Sequence, residues 1–492
     1  MDAFFKGVNK LKSQSSTPIL DALVECCDKE TIHFDVPGHK GGKGLAYFDT
    51  ILREKGLRLD INSAKPVDLL NNPSGVIKQA QALAAETFNA DHCFFMVGGT
   101  TAAVHAMIMS TCKPGEKIIV PRNSHESVIK GLVLSGAVPI YVQPGISKRL
   151  GITNGVSMAD IKEAINRNRD ARAVLLMNPT YYGATSNISE IVRLAHSRGM
   201  VVLVDEAHGT HFGFHKDMPM SAMDAGADMS AVSMHKTGGS LTQSSMLLVK
   251  NGIVDSRSVM TTVQLMMTTS SSYLLLASLD AARKNLATMG DELVGRALEL
   301  ARDARNRINS IKGLYAFGGE LINGDDIFGF DETKLGICVS GIGLSGFEVY
   351  DLLREKYNIQ VELADGSNIL AIVSLGDTRS DIDALVAALE DIIASHSGGK
   401  RQIEQPILIN PYVVISPREA FYSPKRTVRL EDAEGEVSGE SLMLYPHGIP
   451  IFAIGERITR DMIDYIKFLK KQSAVLVGTE DPGIEHIKIL GM

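Results

Sequence analysis

Apolar residues along this chain fall in short unbroken runs set between turn residues, and between residues 71 and 285 those runs alternate with amphipathic stretches. KIIVP, AVPIYV, AVLLMN, VVLVDE and SMLLVK read as strands, and SEIVRLAHSRG carries apolar positions at helical spacing. Unbroken apolar strands are what a sheet covered on both faces requires, and their alternation with helical segments predicts a mostly parallel sheet with crossover helices. A long helical pattern then runs from 271 to 311 and leads into residues 313 to 396. There KLGICVS and NILAIVSL read as strands and GFEVYDLLREKY as a helix, a smaller α+β lobe. The resulting frame is an N-terminal arm over 1–70, a large domain over 71–285 and a small α+β domain with the bridging helix over 286–396. A C-terminal domain follows over 397–492, entered through the linker SHSGGKRQ at 395–402. In the arm, PGHKGGKG is too rich in glycine for a regular element and is expected to fold against a partner subunit. Internal repeats and low-complexity tracts are absent from the sequence.

The candidate chemistry sits where these apolar runs end. The strand MVVLVDEAHGTHFG, 200 to 213, delivers Asp205 and His208, and AVSMHKTGGSL, 231 to 241, delivers Ser233, His235 and Lys236 before the turn at Gly238 and Gly239. A lysine to form a Schiff base and a carboxylate to keep a pyridine nitrogen protonated are what pyridoxal phosphate asks of a protein. One lysine after one strand is unremarkable in an α/β protein, so the other strand ends carry weight. FFMVGGTTAAVHAMI, 94 to 108, passes through Gly98 and Gly99 into Thr100 and Thr101 at a helix start, a place for a phosphate dianion. It lacks the spacing of a dinucleotide fingerprint and has no GKS or GKT triplet, which favours a simple phosphate ester. VPRNSHESVIKG, 120 to 131, puts His125 in a polar loop, where an imidazole suits stacking on an aromatic ring or acid/base work. LLMNPTYYGATSNI, 175 to 188, adds Asn178, Thr180, Tyr181 and Tyr182, equally at home as fold-anchoring groups. Four successive strand ends delivering polar groups are what ligand sites in open α/β sheets look like.

These segments resemble the ornithine/lysine/arginine decarboxylase family of fold-type-I pyridoxal phosphate enzymes, in its short bacterial form. The matching stretches are FDVPGHKGG, PSGVIKQAQALAAETFNAD, GGTTA, RNSHES, DEAHGTHFGFH, SMHKTGGSLTQSS, TTSSSYLLLASLD and YPHGIPIFAIGERIT, which together span nearly the whole chain. The resemblance implies an aspartate-aminotransferase-like large domain with Lys236 as the Schiff-base lysine, Asp205 at the pyridine nitrogen and His125 stacked on the ring. It places His208 near the ring substituents and Gly99, Thr100, Thr101, Ser233 and His235 around the phosphate. Thr269 and Ser270 are expected to reach the phosphate of a neighbouring subunit, because family members build their sites at a dimer interface. Glu362, in NIQVELADGSN, is the expected partner of the substrate's distal cation. The chain departs from the family pattern at Gly98, where many relatives carry asparagine, and at Ser271 and His447, where many carry proline.

Composition narrows the function further. With 492 residues, 45% of them hydrophobic, the chain can bury a large core. A net charge of −7 and the lack of a basic run argue against nucleic acid as a partner and suit a cationic substrate. The five cysteines, Cys26, Cys27, Cys93, Cys112 and Cys338, follow neither metal-ligand nor disulfide spacing, so no metal site and a reducing compartment are expected. Neither a signal-peptide core nor an apolar run near the roughly 20 residues of a membrane span is visible, and a cytoplasmic protein is expected. The implied activity is decarboxylation of a basic L-amino acid: arginine to agmatine first, then lysine, then ornithine, in polyamine biosynthesis. The proton donor to the α-carbon is open among His125, Lys236 and a water. An aminotransferase or lyase is the alternative, with Arg379 the nearest carboxylate-clamping candidate, and a non-catalytic cofactor-binding homologue stands behind it.

Overall fold

The computed structural model describes residues 17–62, 65–396, 399, 401, 410, 412–444, 449–471 and 475–491. The expectations for the first sixteen residues and for His447 lie outside them. Seven strands form the central sheet: β1 (His92–Met96), β2 (Lys117–Pro121), β3 (Val138–Val142), β4 (Ala173–Met177), β5 (Val201–Asp205), β6 (Met229–Val232) and β7 (Ser245–Val249). They lie in the order β1-β7-β6-β5-β4-β2-β3. The run β6-β5-β4-β2-β3 is parallel, while β7 lies antiparallel to both β6 and β1. The apolar runs follow from this burial. Along β5, Val202 and Val204 enter the core on one face of the sheet, and Val201 and Leu203 enter the core on the other. The strand SMLLVK reads the same way as its neighbours for the same reason, so its reversed direction is invisible in its composition.

Crossover elements include α1 (Gly99–Thr111), α2 (Glu126–Ser135) and α3 (Ile188–His196). Helix α4 (Tyr273–Asn309) is 37 residues long, and the side chain of Ser272 caps its first turn by accepting from the Leu275 N–H. Its first half packs Leu276, Leu279 and Leu286 into the large domain's core, and its second half packs Ala301, Ala304 and Ile308 into the next one. That next core belongs to an antiparallel sheet ordered β8-β9-β11-β10, built from β8 (Tyr315–Phe317), β9 (Lys334–Cys338), β10 (Leu363–Ala364) and β11 (Asn368–Ile372), with α5 (Gly346–Lys356) and α6 (Arg379–Ser395) packed on it. Residues beyond 412 add α7 (Pro417–Tyr422), whose Ala420 packs into a core of the large domain, and β12 (Lys425–Arg429), β13 (Leu442–Leu444), β14 (Ile449–Phe452), α8 (Arg460–Lys471), β15 (Leu476–Val477) and β16 (His486–Leu490), around a core of their own.

Residues 37–44, expected to fold against a partner subunit, also pack on their own chain. The Gly38 N–H donates to the His235 carbonyl at 2.9 Å, and the Ser374 hydroxyl donates to the Gly38 carbonyl at 2.9 Å. A Cβ on Gly38 would lie 2.4 Å from the Lys236 carbonyl oxygen, so only glycine allows the approach. Just before this loop, Ile32–Phe34 pairs in parallel with Ile359–Val361 and ties the arm to the small domain.

Candidate active site

Every parallel strand of the large sheet ends on the same side, and five of those ends meet. β1 leads into Gly98 to Thr101, β2 into the His125 loop, β4 into Tyr181, β5 into Asp205 and His208, and β6 into Ser233 to Lys236. They enclose a cavity of about 360 Å³ whose lining includes Gly99, Thr100, Thr101, His125, Asp205, His208, Ser233, His235 and Lys236. A sheet edge of this kind concentrates ligand-binding groups because the chain reverses there and leaves loop atoms unpaired.

One wall is built for an anion. Gly99 opens α1 with φ +74°, a left-handed conformation that a side chain would strain, and this turn aims the first N–H groups of the helix at the cavity. The Thr100 hydroxyl bonds to Ser233 and, at 2.7 Å, to Ser245. His235 donates from Nδ1 to the Ser244 carbonyl at 3.0 Å, which leaves Nε2 as its other polar atom. Burial pushes this imidazole down to about 4. A dianion beside it would reverse that preference and make Nε2 a donor.

The opposite end holds the titratable groups. Lys236 Nζ lies 2.8 Å from His208 Nε2 and 5.8 Å from the centre of the Tyr181 ring, which itself packs on His208 with centroids 4.8 Å apart. Burial lowers the Lys236 ammonium, against the pull of Glu362 and then Asp205, and the charge on Lys334 lowers it further. His208 is held well below the usual imidazole range, first by burial and then by the Lys236 and Lys334 charges. Its Nδ1 is buried with no partner among the described residues. Asp205 accepts from the Ala207 N–H at 3.1 Å. His125 caps α2: its Nδ1 accepts from the Ser127 N–H at 3.1 Å, and the Ser127 hydroxyl lies 2.9 Å away. Burial lowers this imidazole too, so the neutral ring carries its proton on Nε2.

Three expected residues stand apart from the lining. Thr269 and Ser270 are exposed, in the segment between the helix Ser256–Met266 and α4. Glu362 lies in the small domain, where Oε2 accepts from the Val36 N–H at 2.9 Å, and it interacts electrostatically with Lys236. Arg379, the aminotransferase candidate, is exposed and paired with Asp303 at 3.0 Å. The lining also includes Thr242 and Gln243, which were not anticipated. Gln243 has φ +78° and donates from Nε2 to the Val97 carbonyl at 2.8 Å, lacing the β6–β7 turn to the start of α1. SLTQSS carried no sign of this, since the reach depends on how the turn folds.

Beneath the site lies a buried charge cluster. Lys334 Nζ donates to Asp331 at 2.9 Å and to the His208 carbonyl at 3.3 Å, and Asp331 also faces His211 and Thr333.

Residues 17–381 match the model of the Orn/Lys/Arg decarboxylase major domain, and residues 401–486 match that family's C-terminal domain. The chain belongs to this family. It is 45% identical over 484 residues to the arginine decarboxylase of Bacillus anthracis, covering 97% of this chain and 98% of that one. To the arginine decarboxylase of Bacillus subtilis it is 44% identical, with the same coverage of 97% and 98%. Among solved structures, the lysine decarboxylase of Francisella novicida superposes with a TM-score of 0.75 at 20% identity, over 92% of this chain and 78% of that one. The fold is therefore the fold-type-I architecture expected from the sequence, and family membership makes the protein a decarboxylase. Among the described residues no metal-binding cluster occurs, and no helix is long and apolar enough to cross a membrane.

Proposed function

We propose that the protein converts L-arginine to agmatine and CO₂ with pyridoxal phosphate as cofactor. The observation that carries the reading is Lys236, a half-buried amine pushed toward its uncharged form, opposite a cradle of helix N–H groups and hydroxyls. The donor set fits the cofactor. Lys236 would hold the aldehyde, Asp205 the pyridine nitrogen, His125 one face of the ring, and Thr100, Thr101, Ser233 and His235 the phosphate. The buried, unpartnered Nδ1 of His208 suits a polar ring substituent.

When bound, pyridoxal phosphate supplies an electron sink for the bonding pair released as CO₂ departs. The chain's own residues set up that step. Asp205 would favour a protonated ring nitrogen, and a site closed to water would favour the charge-dispersed transition state over the α-carboxylate, which water stabilises more. His125 would offer a proton from Nε2 because the Ser127 N–H occupies Nδ1, and Lys236 and a water are the other candidate donors. Glu362, which interacts electrostatically with Lys236, would hold the substrate's guanidinium through charged hydrogen bonds.

The choice of arginine rests on the relatives named arginine decarboxylase; lysine is the alternative. The five cysteines are free and two of them are exposed, which supports a cytoplasmic setting. Purified, cofactor-loaded protein given arginine, lysine and ornithine separately, with CO₂ and amine both measured, is expected to form agmatine fastest. Lys236→Ala is expected to abolish it. Turnover of lysine alone would move the substrate, and no CO₂ from any of the three would end the decarboxylase reading of this chain.

A further inference from the structure

The block YPHGIPIFAIGERIT is one of the most distinctive in the sequence, yet none of its described residues lines the cavity. Its Glu456 is 1% exposed and makes a bidentate pair with Arg122, at 2.6 Å to Nη1 and 3.0 Å to Nη2. The same carboxylate accepts from the Ala453 N–H at 2.9 Å, and Arg122 Nη2 also reaches the Ile451 carbonyl at 3.1 Å. The guanidinium lies 4.9 Å from the centre of the Tyr141 ring on β3. Arg122 opens the loop that carries His125 three residues later, and its backbone N–H is tied to the Val142 carbonyl at 2.8 Å.

A second contact from the same domain reaches the other end of this segment. Arg418 on α7 donates to the carbonyls of Leu134 and Ser135, both at 3.4 Å, at the C-terminus of α2. His125 is the N-cap of that helix. A cation at a helix C-terminus complements the dipole and the unpaired carbonyls there. The C-terminal domain thus grips the His125 segment at both ends while contributing nothing to the cavity lining among the described residues.

We propose that Glu456 is a positioning residue: through Arg122 it sets where His125 stands against the cofactor ring, and Arg418 holds the far end of the same helix. This rests on the reading that His125 faces the ring. A buried bidentate pair fixes direction as well as distance, which an apolar contact of the same volume does not, and orientation is what such pairs contribute where their net stabilisation is small. The C-terminal domain therefore acts on the chemistry from outside the site.

The test titrates apoprotein with pyridoxal phosphate, following absorbance and the circular dichroism induced in the bound cofactor, and measures kcat and KM for arginine. The variants are Glu456→Gln, the paired apolar change Arg122→Met with Glu456→Met, and Arg418→Ala, each with and without His125→Ala. The paired change keeps the proposal testable where Glu456→Gln leaves Arg122 buried without its partner and the protein does not fold. Arg418→Ala tests the half-exposed grip separately. For Glu456→Gln and the pair we expect about tenfold weaker cofactor binding, a changed induced signal and about tenfold lower kcat with KM within about twofold, and none of these beyond the single change in the His125→Ala background. Arg418→Ala is expected to show the same pattern at about two- to threefold. Effects that multiply with His125→Ala, or folded variants that bind and turn over as wild type does, overturn the proposal. Wild-type protein that binds cofactor but releases no CO₂ overturns the arginine reaction instead, and the titration still decides the role of Glu456.

Discussion

Glu362 sits beside the strand β10, held by the Val36 N–H, and its carboxyl is raised above the usual range, chiefly by burial and against the lowering pull of Lys236. A carboxylate binds a guanidinium only when ionised, so the sign of its pH effect is fixed. As pH falls through the raised value, Glu362 takes up a proton and KM for arginine climbs while kcat holds. Glu362→Gln removes one charged hydrogen-bond partner, and KM is expected to rise about 10- to 100-fold and to lose this acid limb. Steady-state kinetics across the acid range checks both; an unchanged KM would remove Glu362 from the substrate site. At this scale the sequence was readable wherever a polar residue follows an apolar run directly, as Asp205, His208 and Lys236 do. It was silent where partners come from far along the chain. Lys334 opens the run KLGICVS and reads as an ordinary strand-end lysine, but its side chain is fully buried with Asp331 under the His208 loop. Nothing local marks Arg122 and Glu456 as a pair, since 334 positions separate them.

Among the elements, β5 and the loop after it carry the most chemistry, and Glu206 shows how the sheet supports them. Its carboxyl follows Asp205 and is buried, accepting from the Ala222 N–H and the Ser230 hydroxyl, both at 2.8 Å, so that it ties β5 to β6 and to the connection between them. Burial outweighs those two bonds and pushes the group up to about 8 from an ordinary 4.5. The folded protein therefore holds a proton here that the unfolded chain has released. The stability this contributes is complete below the unfolded value and is lost as pH rises through the folded one. Glu206→Gln keeps the shape, with an amide that accepts from Ala222 and donates to Ser230. Its melting temperature is expected to fall less than that of the wild type between about pH 6 and about pH 9. Parallel melting curves in differential scanning calorimetry would show Glu206 ionised in the fold already. Elements of this kind were largely legible. Both faces of β4, β5 and β6 are covered, so their composition announces buried strands, and the 37-residue pattern of α4 is equally plain. The direction of β7 was not, because a strand buried on both faces has the same composition whichever way it runs.

For the whole molecule, the open question is how many chains make one site. Thr269 and Ser270 lie exposed and away from the lining of their own cavity, and the helix before them ends near Leu265, which is 74% exposed. That helix is tied to the chain just after the arm by Gln264, which donates to the Asn71 carbonyl at 2.7 Å, and the arm brings its own exposed Leu57, Ile61 and Leu69. Exposed apolar groups of this size suit a surface that another copy covers, and a covered surface here would carry Thr269 and Ser270 toward the partner's phosphate cradle. Subunit mixing tests this directly. Ser270→Asp sets a carboxylate against the cofactor's phosphate and is expected to inactivate whichever site that loop completes, whereas Lys236→Ala inactivates the site of its own chain. In a mixed dimer, one site receives both defects and the other receives neither. Equal amounts of the two inactive proteins, exchanged to equilibrium, give half mixed dimers with one intact site each, so activity should return to about one quarter of wild type. In a site completed by its own chain, every chain of the mixture carries one lesion in its own site and no activity returns. Recovery near one quarter would therefore place the loop across the interface, and its absence would give Thr269 and Ser270 back to a surface role.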